Sequence, residues 1–169
     1  RMSGIASRTA EVMDSFQGTK CRVLDTRKTT PGLRAFEKWA VRLGGGTNHR
    51  MGLYDMILIK DNHVDFAGSV ESALKRVADY LQELGRDLPV EIEVRDSMEA
   101  FEAMRMQARL KKPSGAELID RLLLDNHSPA EVREQVVQWG DKIDLEASGG
   151  ITPSNAREYA QTGVDFVSM

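Results

Sequence analysis

Three features of the sequence predict a parallel α/β fold, either a β/α barrel or an open doubly wound sheet. Six short apolar segments alternate with helical patterns along the chain, which implies parallel strands joined by helical crossovers. Five strand ends carry polar or charged residues while the strand interiors stay apolar. In parallel β/α proteins the chemistry sits where strands end and loops begin, so these ends should share one rim. A barrel of strands brings them together best.

Taken in order, Met2, Ile5, Ala6, Thr9, Val12, Met13 and Phe16 form a helical pattern that ends at Gly18, a residue suited to a left-handed cap. Lys20 to Asp25 reads as a strand. Thr30 and Pro31 give an N-cap and first-turn signal for a helix to Leu43, with Leu33, Phe36, Trp39, Ala40 and Leu43 on one face. Gly44, Gly45 and Gly46 break it. Tyr54 to Lys60 is a buried-strand pattern. Ser69 to Leu84 is an amphipathic helix with Val70, Ala73, Leu74, Val77, Leu81 and Leu84 inward.

Pro89 to Val94 is the next strand, and Asp96 with Glu99 makes a capping box for a helix through Met106. Gln107 to Ser114 is polar and basic, hence a surface connection, followed by a short helix around Ala116 to Asp120 and a strand from Arg121 to Asp125. Ser128, Pro129 and Glu131 open a helix running to Trp139. Lys142 to Ala147 is a strand, Thr152 and Pro153 start a helix that Gly163 ends, and Val164 to Ser168 is the last strand.

With 169 residues, 41% hydrophobic and 29% charged, the chain has the size and character of one domain. One cysteine, Cys21, excludes an internal disulfide and fits a reducing compartment. No apolar run approaches the roughly 18 residues of a membrane helix, and the start lacks the layout of a signal peptide, so a soluble, cytoplasmic protein with no membrane partner is expected. The chain opens inside a helical pattern and stops on a strand pattern. Both ends are therefore expected to be cut from something longer.

Charge is unevenly spread. Lys20 to His63 holds nine Lys and Arg against four acids, in a chain of net charge −3. A cationic pocket in an acidic protein suggests a small polyanionic ligand and argues against nucleic acid, whose binders spread positive charge over a face.

Each candidate site residue has a plain structural alternative. Arg27 and Lys28 end a strand and, facing Arg50 and Lys60 across a rim, would repel unless an anion sat between them; otherwise they are solvated loop charges. His49 is a turn histidine or, beside Arg50 and after three glycines, a ligand contact. Glu93 and Asp125 end neighbouring strands, as structural partners of cations or as Mg²⁺ ligands beside phosphate. Ser148, Gly149 and Gly150 form a structural turn or a phosphate cradle ahead of the helix at Thr152.

The motifs DTRKTTPGLR, GGGTNHR and LIKDNH, with LLLDN and EASGGITPSN further on, together resemble quinolinate phosphoribosyltransferase, also called decarboxylating nicotinate-nucleotide pyrophosphorylase. The resemblance covers essentially the whole chain. It implies an incomplete TIM-like β/α barrel over 1–169, with a preceding domain and a later phosphate loop lying outside it. The implied reaction joins quinolinate to phosphoribosyl pyrophosphate with Mg²⁺, releasing pyrophosphate and carbon dioxide and leaving nicotinate mononucleotide for NAD synthesis. The implied assembly is a homodimer or larger homo-oligomer.

Position by position, Arg27, His49, Arg50 and Lys60 match residues that hold the quinolinate carboxylates, and Lys28 lies where phosphate or pyrophosphate is met. Glu93 and Asp125 match the acidic pair around ribose and metal, with Glu91 as a rival to Glu93. Ser148, Gly149 and Gly150 match the phosphate loop. A related nicotinate phosphoribosyltransferase, or a binding or assembly fragment without turnover, is the alternative function.

Overall fold

The computed structural model describes all residues 1–169. Six parallel strands form one sheet: β1 (Arg22–Leu24), β2 (Ile57–Ile59), β3 (Val90–Val94), β4 (Arg121–Asp125), β5 (Asp144–Ser148) and β6 (Phe166–Ser168). Their order is β1-β6-β5-β4-β3-β2. From β2 to β6 each strand pairs with its sequence neighbour and β6 pairs with β1, the cyclic order of a β/α barrel without the reversal of a doubly wound sheet. Only β1 and β2 are not hydrogen-bonded to each other, so the barrel is open along that seam. Part of the seam is occupied by the chain after the glycine run. Thr47 lies alongside Leu24, its N–H donating to Val23 O at 2.9 Å.

Seven helices connect the strands: α1 (Met2–Ser15), α2 (Arg34–Leu43), α3 (Asp61–Ala67), α4 (Val70–Leu84), α5 (Ser97–Gln107), α6 (Pro129–Trp139) and α7 (Ala156–Ala160). The stronger capping signals act as the sequence implies. The Asp96 carboxylate accepts from Met98 and Glu99 N–H, and Ser128 and Glu131 form a reciprocal capping box with Pro129 at the first turn.

The strands have two unlike faces. Val23, Ile59, Val90, Ile92, Val94, Leu122, Leu124, Leu145, Ala147 and Val167 point outward into one continuous apolar core shared with the helices. The alternate residues, including Lys60, Glu91, Glu93, Arg121, Asp125, Glu146 and Ser168, point inward. Period-two alternation thus puts the hydrophobic core between sheet and helices and leaves the concave face to charge.

Some sequence expectations are corrected. Thr30 and Pro31 open a turn, because Gly32 takes the left-handed φ of 77°, and α2 starts only at Arg34. The apolar stripe of that helix does not enter the core: Phe36, Trp39 and Leu43 are more than half exposed, whereas Glu37 and Lys38 are buried with Ala40. Val77 is only partly buried and Leu84 is exposed, their inward places on α4 being shared with Ala78. No helix forms around Ala116; instead Lys111 and Glu117 make an antiparallel bridge. Asp61–Ala67 is a further helix, additional to the elements that the sequence pattern predicts. Thr152 and Pro153 form a turn, and α7 begins at Ala156. No helix is long and apolar enough to cross a membrane.

Candidate active site

At the carboxyl ends of the strands lies a cavity of about 660 Å³. Arg27, Lys28, His49, Arg50, Lys60, Glu93, Asp125, Ser148, Gly149 and Gly150 all line it. The topology brings every sequence-predicted site residue to one place, from β1, β2, β3, β4, β5 and the Thr47–Arg50 segment in the seam.

Four cations, Arg27, Lys28, Arg50 and Lys60, share the lining with the carboxylates of Glu93 and Asp125. Arg27 has a buried Nε with no partner in the protein, a donor with nothing to satisfy it. Arg50 Nη1 reaches only Met56 O, at 3.4 Å. Burial and the nearby Arg27 lower the affinity of the Arg50 guanidinium for its proton, which reports mutual repulsion in the cavity. Lys60 Nζ lies 3.5 Å from Glu93 Oε2. Burial holds the Glu93 carboxyl above the ordinary range, opposed by Lys60 and assisted by Asp125. Asp125 accepts from Asn126 Nδ2 at 2.6 Å.

Glu91 and Glu93 project from the same face of β3 at different depths. Glu93 lines the cavity, while Glu91 is wholly buried beneath it. His49 bridges the two levels. Its Nδ1 accepts the Arg50 N–H at 2.8 Å, and its Nε2 lies 2.9 Å from Glu91 Oε2 and 3.6 Å from Glu146 Oε2. An unprotonated Nδ1 puts the ring hydrogen on Nε2, so the imidazole is neutral, and burial lowers its pKa in the same sense.

Arg121 closes this floor, with Nη1 2.9 Å from Glu146 Oε2 and its guanidinium carbon 4.0 Å from the Phe166 ring centroid. Burial and the Glu91 charge push the Glu146 carboxyl up to about 7. His49, Glu91 and Glu146 could in principle grip a metal, their ligand atoms lying within 4.8 Å of one another. Arg121 already supplies the counter-charge there, so a second cation is not needed.

The Ser148–Gly150 segment is shaped by glycine at two positions, with φ of 92° at Gly149 and 63° at Gly150. Because α7 begins only at Ala156 and is five residues long, the segment does not lead into a helix N-terminus. Any phosphate contact there rests on loop N–H groups and Ser148, without an aligned helix dipole. Lys38, Asn48 and Arg121 were not singled out from the sequence, where each looks like an ordinary surface residue.

Fold and site together define a β/α-barrel domain with a cation-and-carboxylate pocket at the strand ends. Residues 5–169 match the family model described as quinolinate phosphoribosyl transferase, C-terminal domain. The chain belongs to that family. It is 46% identical over 172 residues to nicotinate-nucleotide pyrophosphorylase [carboxylating] of Mycobacterium leprae, covering 99% of this chain and 55% of the relative. It is 40% identical over 177 residues to the mitochondrial quinolinate phosphoribosyltransferase [decarboxylating] 2a of Nicotiana tabacum, covering 99% and 48%. The crystal structure of nicotinate-nucleotide pyrophosphorylase from Ehrlichia chaffeensis superposes with a TM-score of 0.86 at 37% identity, over 99% of this chain and 56% of that one. The chain thus spans about half the length of the relatives it matches.

Proposed function

We propose that the protein carrying this chain transfers the phosphoribosyl group of phosphoribosyl pyrophosphate to quinolinate with loss of carbon dioxide, giving nicotinate mononucleotide. The observation that carries this reading is the cavity itself, whose lining combines Arg27, Lys28, Arg50 and Lys60 with Glu93 and Asp125. Relatives named for this activity support it.

Arg27, Arg50 and Lys60 suit a planar dicarboxylate, since guanidinium forks bind carboxylates in bidentate fashion and an anion between two mutually repelling cations relieves them. Lys28 and the Ser148–Gly150 loop take phosphate oxygens. Displacement at the anomeric carbon builds positive charge on the sugar and negative charge on pyrophosphate, so the carboxylates belong near the ribose and the cations on the leaving group. Arg and Lys near the carboxylate beside the ring nitrogen stabilise the negative charge that remains on the ring as carbon dioxide leaves.

Two carboxylates opening onto one cavity fit Mg²⁺, which takes one or two carboxylates plus phosphate oxygens, and Glu93 and Asp125 would hold it. When bound, it neutralises charge on the pyrophosphate. A cytoplasmic location and a homodimer or larger homo-oligomer belong to the same reading. The exposed Phe36, Trp39 and Leu43 stripe supports the latter, being an apolar helix face of the kind that associates with another surface.

Calorimetric titration with quinolinate and with nicotinate tests the substrate. Binding of quinolinate at least about tenfold tighter, the value of one added charge-assisted contact, fits the reading. Equal affinity would favour a nicotinate-using enzyme.

A further inference from the structure

We propose that Asp25 and Lys38 are positioning residues, a buried ion-pair clamp that fixes the distance between the Arg27 loop and the Arg50 loop. The inference rests on the functional reading above for its substrate, and on geometry alone for the clamp.

Lys38 and Asp25 are 2% and 9% exposed at their side chains, so the pair is largely withdrawn from water, with Asp25 at the edge of the cavity. Their bonds go to the backbone and side chains of one segment. Asp25 Oδ1 accepts from Lys38 Nζ and from the His49 N–H at 2.9 Å, and Asp25 Oδ2 accepts from Asn48 Nδ2 at 2.6 Å. Lys38 Nζ also donates to His49 O at 2.9 Å, and Asn48 Nδ2 to Lys38 O at 2.8 Å. The His49 peptide groups are therefore held on both sides, by the carboxylate at N–H and by the ammonium at C=O.

Position gives this network its consequence. Asp25 stands at the end of β1, two residues before Arg27; His49 immediately precedes Arg50. One carboxylate thus ties the backbone behind one substrate cation to the backbone behind the other. His49 supplies the next link, since its Nδ1 accepts the Arg50 N–H while Nε2 lies 2.9 Å from Glu91 Oε2. Arg27 and Arg50 repel, and the 47–50 segment lies in the open seam between β1 and β2, where only Thr47 is held by a strand. Without the clamp that segment would relax outward and widen the gap a planar dicarboxylate has to bridge. A buried pair serving stability alone could be replaced by apolar side chains.

The test uses the protein carrying this chain and the double variant Asp25→Asn/Lys38→Met, which removes both buried charges together and so avoids leaving either one unpaired. Amide exchange and steady-state kinetics are measured well below the melting temperature. The expected result is exchange at the His49 amide at least about tenfold faster with Leu124 unchanged, and a KM for quinolinate raised by about 10- to 100-fold, with kcat and the KM for phosphoribosyl pyrophosphate changed by less than about threefold. Asn48→Ala, which removes a neutral donor to Asp25 Oδ2 and Lys38 O and leaves the ion pair intact, shifts the same quantities less; it carries the test if the double variant does not fold. Unchanged His49 exchange, or an unchanged quinolinate KM, would overturn the clamp. A parent protein with no quinolinate turnover would sink the functional reading instead, and the exchange result alone would then decide the clamp.

Discussion

Gly149 lies hard against Asn126: a Cβ built on Gly149 would fall 2.2 Å from Asn126 Oδ1 and 2.9 Å from the Asn126 backbone nitrogen. Asn126 is itself held at a φ of 56°, with its N–H donating to Ser148 O at 2.9 Å. The Asp125–Asn126 corner and the Ser148–Gly150 loop are thus one packed unit. Gly149→Ala should lose at least about 1 kcal/mol of stability, from the positive φ and the clash together. Gly150→Ala, which meets nothing within 4 Å, should lose less. Denaturant melts of the two variants make the comparison, and equal losses would contradict the packing argument.

The Arg50 guanidinium has one hydrogen bond within the protein, to Met56 O, and lines a cavity rich in cations. Arg50→Ala should weaken quinolinate binding by about 2 to 4 kcal/mol, the cost of truncating one partner of a desolvated charge pair. Phosphoribosyl pyrophosphate should be affected less. Calorimetry on the variant showing normal quinolinate affinity would remove Arg50 from the site.

The strand ends were legible in the sequence because each follows an apolar run, and the Val90–Val94 alternation already placed Glu91 and Glu93 on one face. Their difference in depth was not legible, since it depends on His49 arriving through the seam from a distant part of the chain. Helix α3 was missed because its N-cap is Lys60, an atypical capping residue whose N–H is satisfied by His63 Nδ1 at 2.9 Å. The apolar stripe of α2 misled for another reason. Lys38 and Glu37 are buried by specific partners that hydropathy does not report, with Glu37 accepting from Arg1 Nε at 2.9 Å and from the Thr30 N–H at 3.1 Å.

Asp125 ends an apolar strand next to the one that carries Glu93, and both carboxylates line the cavity. Asp125→Asn keeps its shape and relieves carboxylate crowding, so the melting temperature should hold or rise. The Mg²⁺-dependent rate should fall by orders of magnitude while quinolinate affinity stays nearly unchanged. Both quantities are to be measured on one preparation; a large loss of stability with the rate per folded molecule intact would leave Asp125 a structural anchor.

Glu146 ties stability to pH. Burial and Glu91 raise its carboxyl from 4.5 to about 7. Across that window the folded protein keeps a proton that the unfolded chain has released, so this group's contribution to stability is present at low pH and is lost as pH rises. Glu146→Gln stays neutral throughout. Its melting temperature relative to the parent should therefore be more favourable at pH 8 than at pH 5. A difference that is constant with pH, or reversed, would show that the folded protein holds Glu146 ionised against Arg121.

The central claim is that this pocket joins quinolinate to phosphoribosyl pyrophosphate and removes one carboxylate. The direct measurement is carbon dioxide release from carboxyl-labelled quinolinate by the protein carrying this chain, with phosphoribosyl pyrophosphate and Mg²⁺ present. The account predicts labelled carbon dioxide, pyrophosphate and nicotinate mononucleotide in equal amounts, and none of them when phosphoribosyl pyrophosphate is left out. Turnover of nicotinate with no carbon dioxide from quinolinate would contradict it.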